Sequence, residues 1–454
     1  MDVSLLRLMR CPFCDGKLTA DCSHREGEDL RYGVLHCYCS KWPIVEGIII
    51  FRRDAADARD EVLEMVEAGR YDDALKSCLS IRLSSSNEGI SSRIKRSVKR
   101  LLTSSWNGRW PATLPRFQGR LLDFMRSEQL SALLDRGNHS TAREYLVANY
   151  LHWKGVSDYF FHRFSQPRYF VALSLISIIS QPDRPLLDLA CGCGHLTRAL
   201  LARAEGQPVF GMDRSFSTLY VAKRWVAPDA HFVCSDADRA LPFLDNTFSG
   251  VVCSDAFHYF LSKATCVQEC ERLTKDAGFF VMARVRNALV ARPPDAIPLS
   301  VEGYQSLVAH RPHRLLADQD ILARYFRKEG PCLARQVSLT QLAGEPTLSL
   351  VVSHRDKIFR DYGPFDDWPH AYGRLSINPL YVKEGPLSSG GVCLKRNLPS
   401  HHFEQEHPEI TGYLPDRVDL PSTILESLDK QQRTPEMEEL IARCVILGLP
   451  DAYV

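Results

Sequence analysis

At 454 residues, 45% of them hydrophobic and 24% charged, the chain is long enough for two to four globular units. Lys and Arg number 56 against 55 Asp and Glu, a formal charge of +1, so no global field recruits nucleic acid or a membrane surface. Fifteen cysteines, an odd count, argue against a disulfide scaffold. The longest apolar run, residues 170–179, falls far short of the ~20 residues of a spanning helix. The first residues lack the apolar core of a secretory leader. The expected setting is therefore a reducing cytoplasm, with thiols free or metal-bound and no membrane partner.

Residues 1–53 form the first expected unit. Cys11-Pro-Phe-Cys14 is a C-x-x-C knuckle, and Cys37-Tyr-Cys39 supplies a second pair. Two such pairs suit tetrahedral zinc, which takes four soft ligands. A unit this small has little core, so a structural metal would supply stability. The second pair is C-x-C, which leaves Cys22, His24 and His36 as alternative ligands. A metal-free β-unit is the competing reading. With Trp42-Pro43-Ile44-Val45-Glu46-Gly47-Ile48, the segment resembles a zinc-ribbon family that includes small activator subunits of tRNA, rRNA and protein methyltransferases.

Residues 54–140 read as a helical linker. Helices are expected over 60–68 and 71–81, with Gly69 as a stop between them. Ser84 to Ser92 reads as a connection. Arg93, Lys95, Arg96, Lys99 and Arg100 then share a segment with Ile94, Val98, Leu101 and Leu102, the pattern of a basic amphipathic helix. A solvated face on a packed helix is expected there, and contact with RNA is the alternative.

Residues 141–355 carry the chemistry. An aromatic segment, 150–170, precedes an alternation of strand 185–190, helix 195–204, strand 207–212, helix 215–226, strand 231–234, strand 248–254, helix 262–274 and strand 278–284. Alternating strands and helices imply a parallel sheet. Helix 316–328 and strands near 332–340 and 346–353 would complete seven strands, with a proline-bearing insertion over 286–314. Leu186 to Thr197 reads as strand, tight loop, helix. Gly192 and Gly194 let a ligand approach the loop backbone. Asp188 ends the strand where open α/β sheets bind ligands, and Asp213 ends the next, where a carboxylate can accept both ribose hydroxyls. A dinucleotide loop would place its third glycine at Thr197, so no phosphate cradle is built.

The run Cys234-Ser-Asp236-Ala237-Asp238, then Leu241-Pro-Phe243, then Asp245-Asn-Thr-Phe248, resembles the class I S-adenosylmethionine-dependent methyltransferases of the small-molecule type. Glu269 to Gly278 resembles that family's turn before the fifth strand. The resemblance implies a Rossmann-like seven-stranded sheet and S-adenosylmethionine as cofactor. It implies cofactor binding by Asp188, Ala190, Gly192, Gly194, Asp213, Asp236, Ala237 and Cys253. His258, after the fourth strand of that sheet, is the candidate catalytic residue, because histidine titrates near neutrality. Asp255 is either a further polar contact or a helix cap. Cys191, Cys193 and Cys253 read as small core residues. A small-molecule acceptor is the expected partner, with RNA or protein as the alternative. Residues 356–454 form a C-terminal extension to which the sequence assigns no chemistry.

Overall fold

The computed structural model describes residues 1–27, 29–52, 56–80, 114–290, 296–388 and 390–454. The basic segment 93–102 and the connection 84–92 lie outside the described residues.

One large mixed sheet organises the molecule. Its strands are β1 (Thr19–Glu26), β2 (Asp29–His36), β3 (Lys41–Val45), β4 (Ile48–Ile50), β5 (Leu186–Leu189) and β6 (Val209–Asp213). They continue as β7 (His231–Cys234), β8 (Gly250–Ser254), β9 (Phe279–Arg286), β10 (His313–Ala317) and β11 (Thr347–Ser353). The order is β1-β2-β3-β4-β7-β6-β5-β8-β9-β11-β10. The centre, β4 through β9, is parallel, and both flanks are antiparallel. Burial on both faces explains why β5, β8 and β9 read as near-continuous apolar runs rather than as alternation.

Two expectations are corrected. The sheet has 11 strands, because four from the N-terminal unit join the seven of residues 141–355. Ile48, Ile49 and Ile50 of β4 pair in parallel with Phe232, Val233 and Cys234 of β7. Nor is there a strand near 332–340. Its place beside β11 is taken by β10, which precedes the helix Asp318–Phe326. Arg314 and His313 break the apolar run of β10, an edge strand, and so hid it from the sequence pattern.

The expected helices are present as Ala56–Glu67, Tyr71–Cys78, His195–Leu201, Phe216–Val221 and Lys263–Thr274. Phe216–Val221 runs on into a π-helical turn, Ala222–Val226. The C-terminal extension adds a two-stranded and a three-stranded sheet pairing. It packs on the central domain through buried contacts: Ser165 Oγ donates to Asn378 Oδ1 at 2.8 Å, and the Tyr325 hydroxyl lies 2.7 Å from His370 Nδ1. No helix among the described residues is long and apolar enough to cross a membrane.

Trp42 is the hub of the N-terminal unit. It is fully buried, stacks on Phe13 at 5.0 Å and meets Phe51 edge-on at 5.6 Å. Because β4 and β7 share one ladder, damage here is transmitted to the central sheet. Trp42→Ala is expected to cost about 3–5 kcal/mol. The whole chain should then melt earlier in a single transition, seen alike by far-ultraviolet circular dichroism and by tryptophan fluorescence. A separate early transition that leaves the rest of the chain folded would contradict a shared ladder.

Candidate active site

β5 is the point where the chain order reverses: β6 and β7 lie on one side of it and β8 on the other. In open α/β sheets the crevice at such a point, beyond the carboxyl ends of the strands, is where ligands bind. A cavity of about 220 Å³ opens there. It is lined by residues from the ends of β5, β6, β7 and β8 and from the aromatic segment ahead of β5.

The turn after β5 is built on left-handed backbone. Ala190 has φ 59°, Gly192 φ 54° and Gly194 φ 76°. For Ala190 that conformation is strained, and neighbouring bonds must hold it. Cys191 N donates to the Met212 carbonyl at 3.0 Å, and Gly192 N donates to the Asp213 carboxylate at 2.9 Å. The other Asp213 oxygen accepts from Ser215 N at 2.9 Å. The two glycines have different reasons. A Cβ at Gly192 would stand 3.2 Å from the Phe160 ring, within the cavity. A Cβ at Gly194 would stand 2.7 Å from that of Ala222, so this glycine permits helix packing and lies outside the lining.

Asp188 is buried and accepts a hydrogen bond from the Thr197 hydroxyl at 2.6 Å. Burial pushes its carboxyl up to about 7, against the pull of Thr197 and with Asp213 adding in the same direction. Thr197 therefore has a positive role where a dinucleotide loop would carry glycine. Asp213 is also raised, by burial first. Asp236 is half-exposed and accepts from Asp238 N at 3.0 Å, forming a turn beside Ala237 at the cavity edge.

Two expected residues stand behind the lining. Cys253 is fully buried, and burial keeps its thiol well above the ordinary range and hence neutral. His258 is 1% exposed. Burial pushes its imidazole down to about 4, although Asp255 pulls the other way. Its Nδ1 has no hydrogen-bond partner, and its carbonyl accepts from Ile297 N at 2.8 Å. A neutral histidine in this position supports the wall; it does not face the cavity. Its neighbour Tyr259 does.

A feature missed in the sequence reading surrounds Asp255. This residue has φ 58° and caps no helix. Its carboxylate accepts from the Tyr159 hydroxyl at 2.8 Å, Arg163 at 3.2 Å and Arg168 at 2.6 Å. Burial alone would raise its pKa, but Arg168, Arg163 and Arg284 hold it well below the usual carboxylate range. The ion cluster fixes the aromatic helix Lys154–Phe161 over the end of β8. Tyr159, Phe160 and Tyr169 of the aromatic segment line the cavity, as do Tyr259 and Phe260.

The four N-terminal cysteines come together. The thiol sulfurs of Cys11, Cys14, Cys37 and Cys39 all lie within 4.8 Å of one another. Cys11 and Cys39 are 3.7 Å apart, Cys37 and Cys39 3.6 Å. Trp42 Nε1 donates to Cys37 Sγ at 3.4 Å. Cys22, His24 and His36 are not part of the group; Cys22 takes a hydrogen bond from Arg25, and His36 pairs with Asp21 at 2.8 Å. This unit borders the cavity wall at two places. Phe51 N donates to the Cys234 carbonyl at 2.8 Å. Arg10 N donates to that of Pro242 at 3.2 Å, and Leu244 N to that of Leu8 at 2.9 Å. Between these anchors runs the cavity-lining stretch Ser235 to Asp238.

Residues 187–282 match the family model described as a methyltransferase domain. The demethylmenaquinone methyltransferase of Thermotoga maritima is 32% identical over 105 residues, which are 23% of this chain and 45% of that protein. The protein of the same name from Symbiobacterium thermophilum is 37% identical over 108 residues, 22% of this chain and 42% of its own. The chain thus spans less than half the length of these curated relatives. Among solved structures, a TehB-like SAM-dependent methyltransferase from Corynebacterium glutamicum is 14% identical, covering 40% of this chain and 86% of that one, with a TM-score of 0.31.

The state of Asp188 has a measurable consequence. A carboxyl whose folded pKa is raised to about 7 from 3.8 favours the folded state while protonated. That contribution is complete below the unfolded value and is lost as pH rises through the folded one. Asp188→Asn should therefore flatten the stability curve of the ligand-free protein between about pH 4 and 7, which urea titrations across that range would show. An unchanged pH slope would mean that Asp188 is not the group titrating.

Proposed function

We propose that this protein is an S-adenosylmethionine-dependent methyltransferase acting on a small-molecule acceptor. The observation that carries the reading is the convergence of Asp188, Asp213 and a left-handed Ala190–Gly194 turn on one cavity at the reversal point of the sheet. The match of residues 187–282 to a methyltransferase domain supports it.

The sulfonium of the cofactor is itself the methyl electrophile, so the chain's work is to hold donor and acceptor in line. Asp213 is assigned to the ribose. Each of its oxygens already accepts one backbone N–H and keeps a lone pair for a hydroxyl. Gly192 and Ala190 form the floor, and Asp236 with Ala237 borders the adenine end. Asp188 acts on the turn through Thr197. Tyr159, Phe160, Tyr259 and Phe260 wall the opposite end, where the acceptor is placed. Aromatic walls and relatives named for a small-molecule reaction favour a compact acceptor over RNA. His258 is assigned to the wall behind that end and not to proton transfer.

The four cysteines are proposed to hold one structural zinc. A tetrahedral site with Zn–S bonds near 2.3 Å requires sulfurs about 3.8 Å apart. The separations of 3.7 and 3.6 Å fit that requirement, and the C-x-C pair does not prevent it. The ion would brace the N-terminal unit and, through Arg10 and Leu8, the 241–244 segment next to the adenine end.

Two measurements check this reading. Calorimetry with S-adenosylhomocysteine should show binding, and Asp213→Ala should weaken it by roughly 1.5–3 kcal/mol, the worth of hydrogen bonds to a charged group. Wild-type protein that ignores this ligand and takes a nicotinamide cofactor instead would overturn the assignment. Elemental analysis should find about one zinc per chain, and chelation should lower the melting temperature. Freshly prepared protein without zinc and with unchanged stability would leave the cysteines as a metal-free cluster.

A further inference from the structure

The C-terminal extension reaches the cavity lining through Tyr453. Tyr453 is 1% exposed. Its hydroxyl lies 3.0 Å from His195 Nε2, 2.9 Å from the Phe161 carbonyl and 3.2 Å from the Phe160 carbonyl. His195 is the first residue of the helix that follows Gly194, and it lines the cavity. Phe160 also lines the cavity, and its ring is the one facing Gly192. The hydroxyl thus joins the two walls between which the cofactor would lie.

Its position is fixed from outside. The carbonyls of Ala452 and Tyr453 accept from Ala142 N and Arg143 N at 3.0 and 3.1 Å, at the start of the helix Ala142–Asn149. The Tyr453 ring stacks on Phe161 at 5.4 Å and meets Phe164 edge-on at 5.1 Å. Packing alone would be satisfied by phenylalanine. A buried hydroxyl has a desolvation cost that only its hydrogen bonds offset, and all its partners belong to the two cavity-lining segments or the residue beside them. His195 is kept neutral by burial, with Arg163 and Arg198 acting in the same sense. Its bond to the phenol is therefore a directional link between two neutral groups and needs no charge.

Building on the reading of this cavity as the methyl-donor site, we infer that Tyr453 is a positioning residue for cofactor binding. Its hydroxyl clamps the glycine turn, held through His195, to the aromatic helix, held through the carbonyls of Phe160 and Phe161.

The test uses the full chain and S-adenosylhomocysteine as probe. Tyr453→Phe keeps the ring contacts and removes the clamp. Its dissociation constant should rise roughly three- to tenfold, the scale of one hydrogen bond. The ligand-free melting temperature should fall by no more than about 2 °C in a chain of this size. His195→Leu removes the ring nitrogens and so breaks the same link from the other end, and also serves if Tyr453→Phe does not fold. The double variant should lose less than the sum of the two singles, since both remove the bond between Tyr453 and His195. Wild-type binding with Tyr453→Phe equally tight, or with strictly additive losses in the double variant, would overturn the clamp alone. Wild-type protein that binds no S-adenosylhomocysteine would overturn the cofactor reading and the clamp with it.

Discussion

The hydrogen bond from Gly192 N to the Asp213 carboxylate joins the end of β6 to the turn after β5. The site depends on that bond. Ala190 and Gly192 both occupy left-handed backbone, and a turn of this kind persists only when its surroundings over-determine it. The Asp213 bond, the Cys191–Met212 backbone bond and the Asp188–Thr197 pair together do so. Two buried carboxyls 25 positions apart in the chain therefore act on one loop from opposite sides. Their raised pKa values reflect the same burial that makes the cavity a place where hydrogen bonds to a ligand count.

The N-terminal unit belongs to this construction. Without β4, β7 would present an unpaired edge next to the ligand-binding crevice. Pairing with β4 covers that edge, and the backbone bonds from Arg10 and Leu244 tie down the segment that returns from the cavity. The cysteine group belongs to the same unit, where Trp42 Nε1 donates to Cys37 Sγ.

Much of the site was legible because its chemistry is local in sequence. The strand–turn–helix around Gly192, the acid at the end of β6 and the Asp236–Ala237 turn are each specified by adjacent residues. The paired cysteines were legible for the same reason, and the structure brings together the four that their spacing picked out. What escaped is long-range. Asp255 read as either a further polar contact or a helix cap, because nothing near it in sequence announces that Arg163 and Arg168 arrive from some ninety residues earlier. His258 looked catalytic from its place after β8. It is buried, and the insertion donates Ile297 N to its carbonyl, neither of which hydropathy reveals. The fusion of the two sheets rests on the short all-isoleucine strand β4, whose pattern signals burial but not a partner. Tyr453 carries no sequence signal at all, since its partners are backbone carbonyls and a histidine on another element.

On the proposed function, the cavity beyond β5 holds a nucleoside-bearing methyl donor by its ribose. A crystal structure of the full chain grown with S-adenosylhomocysteine tests this most directly. The ligand is expected in that cavity, with both ribose hydroxyls within hydrogen-bond distance of Asp213 and the adenine beside Asp236 and Ala237. Ligand bound elsewhere, or bound there with Asp213 turned away from the ribose, would contradict it.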